Sequence, residues 1–203
     1  MAKKKSYLNQ IYQFHEHDRC YIVEVSLENY HELFNGWDAS PTRKKDLDSE
    51  LLDFIEQAAY DIPMKQKVKL SFGIPEEERN DVLEASSKTA IYNNFKMIIH
   101  FINKSLSVNN RKILTYITLA FIFITSAYLM MSFFEEQLSF TILREGLFIG
   151  GWFLMWESFS LFFFDSYEIR NRRKRYQRYL ESDIEFRYIK QVQIEDVKQE
   201  ESK

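Results

Sequence analysis

The chain has 203 residues, 16% of them aromatic, a formal net charge of −3 and one cysteine, Cys20. A lone cysteine excludes an internal disulfide framework, and the slightly acidic balance gives no general basis for nucleic-acid binding. The mean hydropathy of −0.38 suits a soluble protein, yet the apolar residues are concentrated in one block between charged flanks.

The basic lead Met1 to Lys5 is expected to lack order, and no apolar run follows it as a signal peptide requires. Ile11 to Phe14 reads as a short strand. Cys20 to Glu28 reads as a clearer one, because Val23, Val25 and Leu27 alternate with Glu24, Ser26 and Glu28. Gly36 and Ser40-Pro41 mark the next stretch as loop. A helix is predicted from Asp48 to Tyr60, with Leu51, Ile55 and Ala58 at helical spacing and Ile62-Pro63 ending it. Lys67 to Ile74 alternates again as a strand. Pro75 and three glutamates then open a long helix whose apolar stripe includes Ile91, Phe95, Ile98 and Ile102. Ser107 to Asn110 offers a break before the apolar block.

Ile113 to Phe134 carries no charge over roughly 22 positions, enough to cross a bilayer core. Leu147 to Phe164 is nearly as apolar but contains Glu157. A charged helix from Tyr167 to Leu180 follows, then an alternating strand from Asp183 to Ile189, then a polar tail. The expected fold is α+β, a small cytoplasmic domain of three or four strands and two or three helices with an inserted two-helix transmembrane hairpin. Residues 1–106 form its first part and 107–112 a linker. The spans are 113–134 and 143–164, joined by an extracytoplasmic turn at 135–142. Residues 165–194 complete the domain, and 195–203 are expected to be disordered.

Lys104, Arg111 and Lys112 precede the first span, and Arg170, Arg172, Arg173, Lys174 and Arg175 follow the second. The connecting segment has only Arg144. The positive-inside rule therefore puts both flanks, and both termini, on the cytoplasmic side of the cell membrane. The same basic run is expected to contact anionic lipid head groups.

Glu157 shares helical spacing with Gly146, Gly150, Phe153 and Ser160, and Gly146 to Gly150 is a GxxxG pair. On the first span Thr115, Thr118, Thr125 and Ser132 form a hydroxyl stripe. Two readings follow. Hydroxyls and glycines pack the two helices together, with Glu157 protonated or bonded across the interface; this reading stands first. Otherwise several hairpins assemble and Glu157 with the stripe lines a conduction path.

Elsewhere, Trp37, Asp38, Ser40 and Arg43, with Lys44 beside them, gather an aromatic, a carboxylate and cations in one loop, which suits a ligand or partner contact or a structural plug formed by Trp37. His15 and His17 on one strand are metal-ligand types without a second cluster, so neither a metal nor a cofactor is expected. No P-loop, GxGxxG, GxSxG, HExxH or CxxC occurs, and no enzyme activity is expected.

The segment from residue 20 to about 80, which contains the run Trp37-Asp38-Ala39-Ser40-Pro41, resembles a family of bacterial membrane proteins of unknown function. In that family a WDxSP-containing cytoplasmic domain accompanies transmembrane helices, so the resemblance implies the same plan and no particular activity. The plan also looks like that of small membrane effectors of bacterial antiviral systems, in which a cytoplasmic sensor controls an oligomeric hairpin. The expected function is accordingly a homo-oligomeric, multi-pass membrane protein. Its cytoplasmic domain drives assembly or senses a protein or small-ligand partner, and its hairpin forms a pore or perturbs the bilayer. The alternative is a membrane-anchored interaction module without transport.

Overall fold

The computed structural model describes residues 2–133 and 138–190. The chain divides into two compact units, Met1–His100 with Lys174–Lys203, and Phe101–Arg173. Part of the turn expected at 135–142, and all of the tail at 195–203, lie outside the described residues.

The first unit is α+β around a four-stranded mixed sheet. Its elements are α1 (Ala2–Ile11), β1 (Gln13–His15), β2 (Cys20–Ser26), α2 (Ser49–Asp61), β3 (Lys67–Pro75), the first part of α3 (Asp81–Phe133), the last part of α5 (Ser166–Leu180) and β4 (Ile184–Ile189). The strands lie in chain order, with β1 antiparallel to β2 and the other pairs parallel. Helical α1 stands where a loose lead was expected. Leu8 is its buried anchor, and Asn9 accepts a hydrogen bond from the Tyr21 hydroxyl.

Parallel neighbours need a crossover. The β2–β3 connection supplies α2. The β3–β4 connection runs through α3, α4 (Leu138–Ser160) and α5, so the whole apolar block is an insertion within one βαβ crossover. The register sets Val23 beside Leu70 and Phe72 beside Phe186. This face of the sheet is buried with Ile55 and Ala58 of α2, Ile91 and Phe95 of α3, and Tyr179 of α5. Burying each large side chain contributes roughly 1.5–3 kcal/mol. The opposite face carries the ion pairs Glu24–Arg187 and Lys69–Glu185. Period-2 alternation therefore reports a sheet covered on one side.

Three polar side chains hold the loops and helix ends. Asp48 caps α2, accepting from the backbone of Glu50 and Leu51. At the other end of α2, the Arg178 guanidinium donates to the carbonyls of Ala59 at 3.0 Å and of Ile62 and Pro63 at 3.1 Å. It thus satisfies carbonyls that a helix C-terminus leaves open and complements the dipole there. Asn94 of α3, 4% exposed, donates to the Lys45 carbonyl and accepts from Leu47 N–H, which clips the loop after β2 to the core.

The second unit consists of the rest of α3, α4, a π turn at Leu161–Asp165 and the start of α5. Two helices are long and apolar enough to cross a membrane: Asp81–Ser132, in which an 18-residue window reaches a mean hydropathy of 1.9, and Leu138–Leu180, in which one reaches 1.5. Residues 107–112, read as a linker, are continuous helix.

Candidate functional site

In the second unit α3 and α4 lie antiparallel and in contact. The contact is made by small side chains at seven-residue spacing. Ala120 and Ala127 of α3 are buried, as are Gly151 and Ser158 of α4. A Cβ on Gly151 would meet Ile124 Cγ1 at 2.6 Å and the Ala120 carbonyl oxygen at 3.1 Å. Only glycine allows that approach. Tyr128 meets Phe148 edge-on at 6.2 Å, about one turn from there. Near the other end, the Asn109 amide donates to Ser166 Oγ at 3.0 Å and to the Leu161 carbonyl at 3.3 Å. Asn109 is 7% exposed and Ser166 is fully buried. The Leu161 carbonyl belongs to the π turn, so this polar clasp stabilises a local departure from α-helix.

Of the residues singled out from sequence, Gly150 borders this contact and the others fall elsewhere. Thr115, Thr118, Thr125 and Ser132 are all exposed. Each threonine lies two positions from Ile113, Ala120 or Ala127, about 200° round the helix and therefore on the side turned away from α4. The Thr115 and Thr118 hydroxyls donate to the carbonyls of Arg111 at 2.9 Å and Leu114 at 2.8 Å, four residues back. On α4, a Cβ added to Gly146 would find nothing within 4 Å, while a Cβ on Gly150 would touch the Phe123 ring at 3.3 Å. Glu157 and Ser160 are half-buried. Glu157 forms no hydrogen bond or ion pair with any described residue. Hydroxyl stripe and carboxylate thus do not meet among the described residues, and the intramolecular contact is carried by Ala120, Ala127, Gly151 and Ser158, with Gly150 against the Phe123 ring. Their seven-residue spacing was a usable signal, hidden because alanine is unremarkable in an apolar run.

The basic run on α5 divides. Arg170, Arg172 and Lys174 are exposed, and Arg173 is half-buried. Arg175 has a side-chain exposure of 16%, lies 4.0 Å from the Glu56 carboxylate and covers the Tyr60 ring at 5.6 Å. Together with Arg178 it belongs to the packing of the first unit on α2.

In the loop from Phe34 to Leu47, Trp37 is 97% exposed, so it plugs no core. The loop is nevertheless well fastened. Phe34 and Leu47 form an antiparallel bridge, and Asn35 Oδ1 accepts from Trp37 N–H at 3.0 Å. Asp38 accepts from the backbone N–H groups of Ser40 and Asp46, each at 2.8 Å. Hydrogen bonds from Ser40, side chain first, and from Asp46 hold the Asp38 carboxyl below its ordinary value. Arg43 is exposed, and its carbonyl accepts from Asn93 at 3.1 Å.

A cleft of about 510 Å³ opens at the N-terminal ends of the parallel strands, lined by Asp18, Lys67, Lys69, Arg178, Glu181 and Asp183 among others. Its charges cancel, Lys69 is paired with Glu185, and Arg178 is engaged on α2. His15 and His17 both turn to Asp18, at 3.1 and 3.0 Å. Among the described residues no group of three or more His, Cys, Asp or Glu could hold a metal ion. Comparison with protein-family models, curated proteins and solved structures finds no match.

Proposed function

We propose that the chain is a two-span protein of the cytoplasmic membrane whose hairpin associates with further copies of itself, and that the assembly perturbs or conducts across the bilayer. The observation that carries this reading is Glu157. It stands without a described partner near the end of α4, inside the apolar run Leu147–Phe164 and roughly 12 Å along the axis from Asp165. An acidic or basic side chain at the centre of a span costs about 2.5–3.5 kcal/mol on insertion scales, and such residues usually face another helix or a water-filled path. The hydroxyls of Thr115, Thr118 and Thr125, turned away from α4, add a second surface that hydrocarbon does not favour. Both flanks carry the cationic residues, which supports cytoplasmic termini. The fastened loop with Trp37 and Arg43 is the proposed contact for a cytoplasmic protein or small ligand, and Arg170, Arg172 and Lys174 are the proposed contacts for anionic head groups.

A simple anchor is the second reading. The close Gly151–Ala120 approach favours it, because the hairpin then packs without help from a second copy. Reconstitution into vesicles separates the two. The assembly reading expects a discrete oligomer in mild detergent and ion or dye release that Glu157→Leu abolishes. A monomer that leaves vesicles tight would establish the anchor.

A further inference from the structure

This inference rests on the reading of two spans that self-associate. We propose that neighbouring copies join head to tail, with Glu157 on α4 of one copy set against Thr115 and Thr118 on α3 of the next.

The first ground is direction. The hydroxyl stripe lies about 200° from the residues of α3 that touch α4. Glu157 lies about 100–120° from Ser158 and Gly151, the residues of α4 that touch α3. The two polar surfaces therefore face different ways from one hairpin. A two-fold pairing of like surfaces would cover one and leave the other to lipid. A heterologous contact, repeated, covers both with a single kind of interface.

The second ground is depth. Within the helix pair, Gly151 sits level with Ala120 and Ile124, Phe148 with Tyr128, and Ser166 with Asn109. Counting along α4 from these fixed points puts Glu157 level with residues 114–119 of α3, the stretch that bears Thr115 and Thr118. Copies related by rotation about the membrane normal keep every residue at its own depth. The neighbour's hydroxyls therefore arrive at the level of the carboxyl without any shift along the helix.

The third ground is chemistry. Both threonine hydroxyls already satisfy a backbone carbonyl, but each oxygen retains lone pairs. A hydroxyl accepts from a carboxyl O–H, or rotates to donate to a carboxylate. It thus partners Glu157 in either state, and no charged counterpart is needed inside the membrane.

Single and paired cysteines test the register in the full chain, reconstituted in vesicles and oxidised, with Cys20→Ser to remove the only native thiol. Paired T118C/E157C is expected to give a ladder of dimers, trimers and larger species, while T118C and E157C alone give none above background. A second pair at one depth, I122C/F153C, replaces two exposed apolar residues and touches no polar group, so it reports the same register should the first pair disturb folding. A ladder from either pair supports the head-to-tail register. Dimers from E157C alone, with no larger species from the pairs, would show a two-fold interface and overturn it. An oligomer in detergent that cross-links through neither pair overturns the register but leaves self-association standing. A monomer removes the underlying reading as well.

Discussion

Gly151 approaches Ala120 so closely that a β-carbon on the glycine would stand 3.1 Å from the alanine carbonyl oxygen and 2.6 Å from Ile124 Cγ1. Backbone and a branched side chain close this site from two directions, and neither can yield without moving the helix. Gly151→Val is therefore expected to destabilise the α3–α4 pair by about 1–3 kcal/mol, as overpacking does. Gly146→Val, in open space, is expected to change it by less than about 0.5 kcal/mol. Unfolding of the reconstituted protein in denaturing detergent compares the two. Equal effects would contradict the assigned packing face.

Arg178 gives a second expectation. Its guanidinium serves carbonyls at the end of α2 from a largely buried position. Arg178→Ala should cost the first unit about 1.5–3 kcal/mol, the range for hydrogen bonds to a charged group. Arg178→Lys should recover only part, because an ammonium lacks the planar fork. Exposed Arg170→Ala should leave stability unchanged and instead lower the amount of anionic lipid retained by the protein in mild detergent. Denaturant unfolding and analysis of the retained lipid read the two effects separately.

Glu84 and two of the tyrosines contribute to the pH response of the first unit. Burial opposes ionisation of Glu84, but hydrogen bonds from Lys88 and Tyr188 and the charges of Lys88 and Arg79 outweigh it, so its folded value is depressed. A depressed carboxyl contributes stability above its ordinary value, and the contribution is lost as pH falls through the folded value. Tyr12 runs the other way. Burial first, then its hydrogen bond to Asp61 and that carboxylate's charge, push it from 10.0 to about 12. A raised phenol contributes fully below pH 10.0 and loses its contribution as pH climbs toward about 12. Burial and the bond to Glu84 raise Tyr188 as well. Tyr12→Phe is expected to make the alkaline limb of stability against pH less steep between 10.0 and about 12 and leave the acid limb unchanged; Glu84→Gln is expected to make the acid limb less steep.

The three tryptophans report on location. Trp37 is 97% exposed on a fastened loop, and Trp152 and Trp156 are 54% and 73% exposed on α4. In vesicles, a variant retaining only Trp37 should emit at long wavelength and be quenched by iodide. One retaining Trp152 and Trp156 should emit at shorter wavelength and be quenched by brominated lipid. Iodide quenching of Trp152 and Trp156 to the extent seen for Trp37 would contradict insertion of α4. Trp37→Ala should shift stability by less than about 0.5 kcal/mol, since the side chain covers nothing.

Much of this protein was readable from local pattern. Alternation in Cys20–Ser26, Lys67–Pro75 and Ile184–Ile189 marked the strands because a one-sided sheet repeats every two residues, and the uncharged run after Ile113 marked a helix able to span a bilayer. Composition and spacing suffice for such features, since each is a property of one segment. The destinations of side chains were another matter. Nothing local distinguishes Arg178, which caps a helix more than a hundred residues earlier in the chain, from exposed Arg170. Hydroxyls at helical spacing looked like packing residues for the partner helix, yet Ala120 and Gly151 fill that contact and the threonines turn outward. Helical spacing groups residues on one face but leaves open which neighbour that face meets. That is decided by the closest backbone approach, which tertiary packing awards to the smallest side chains.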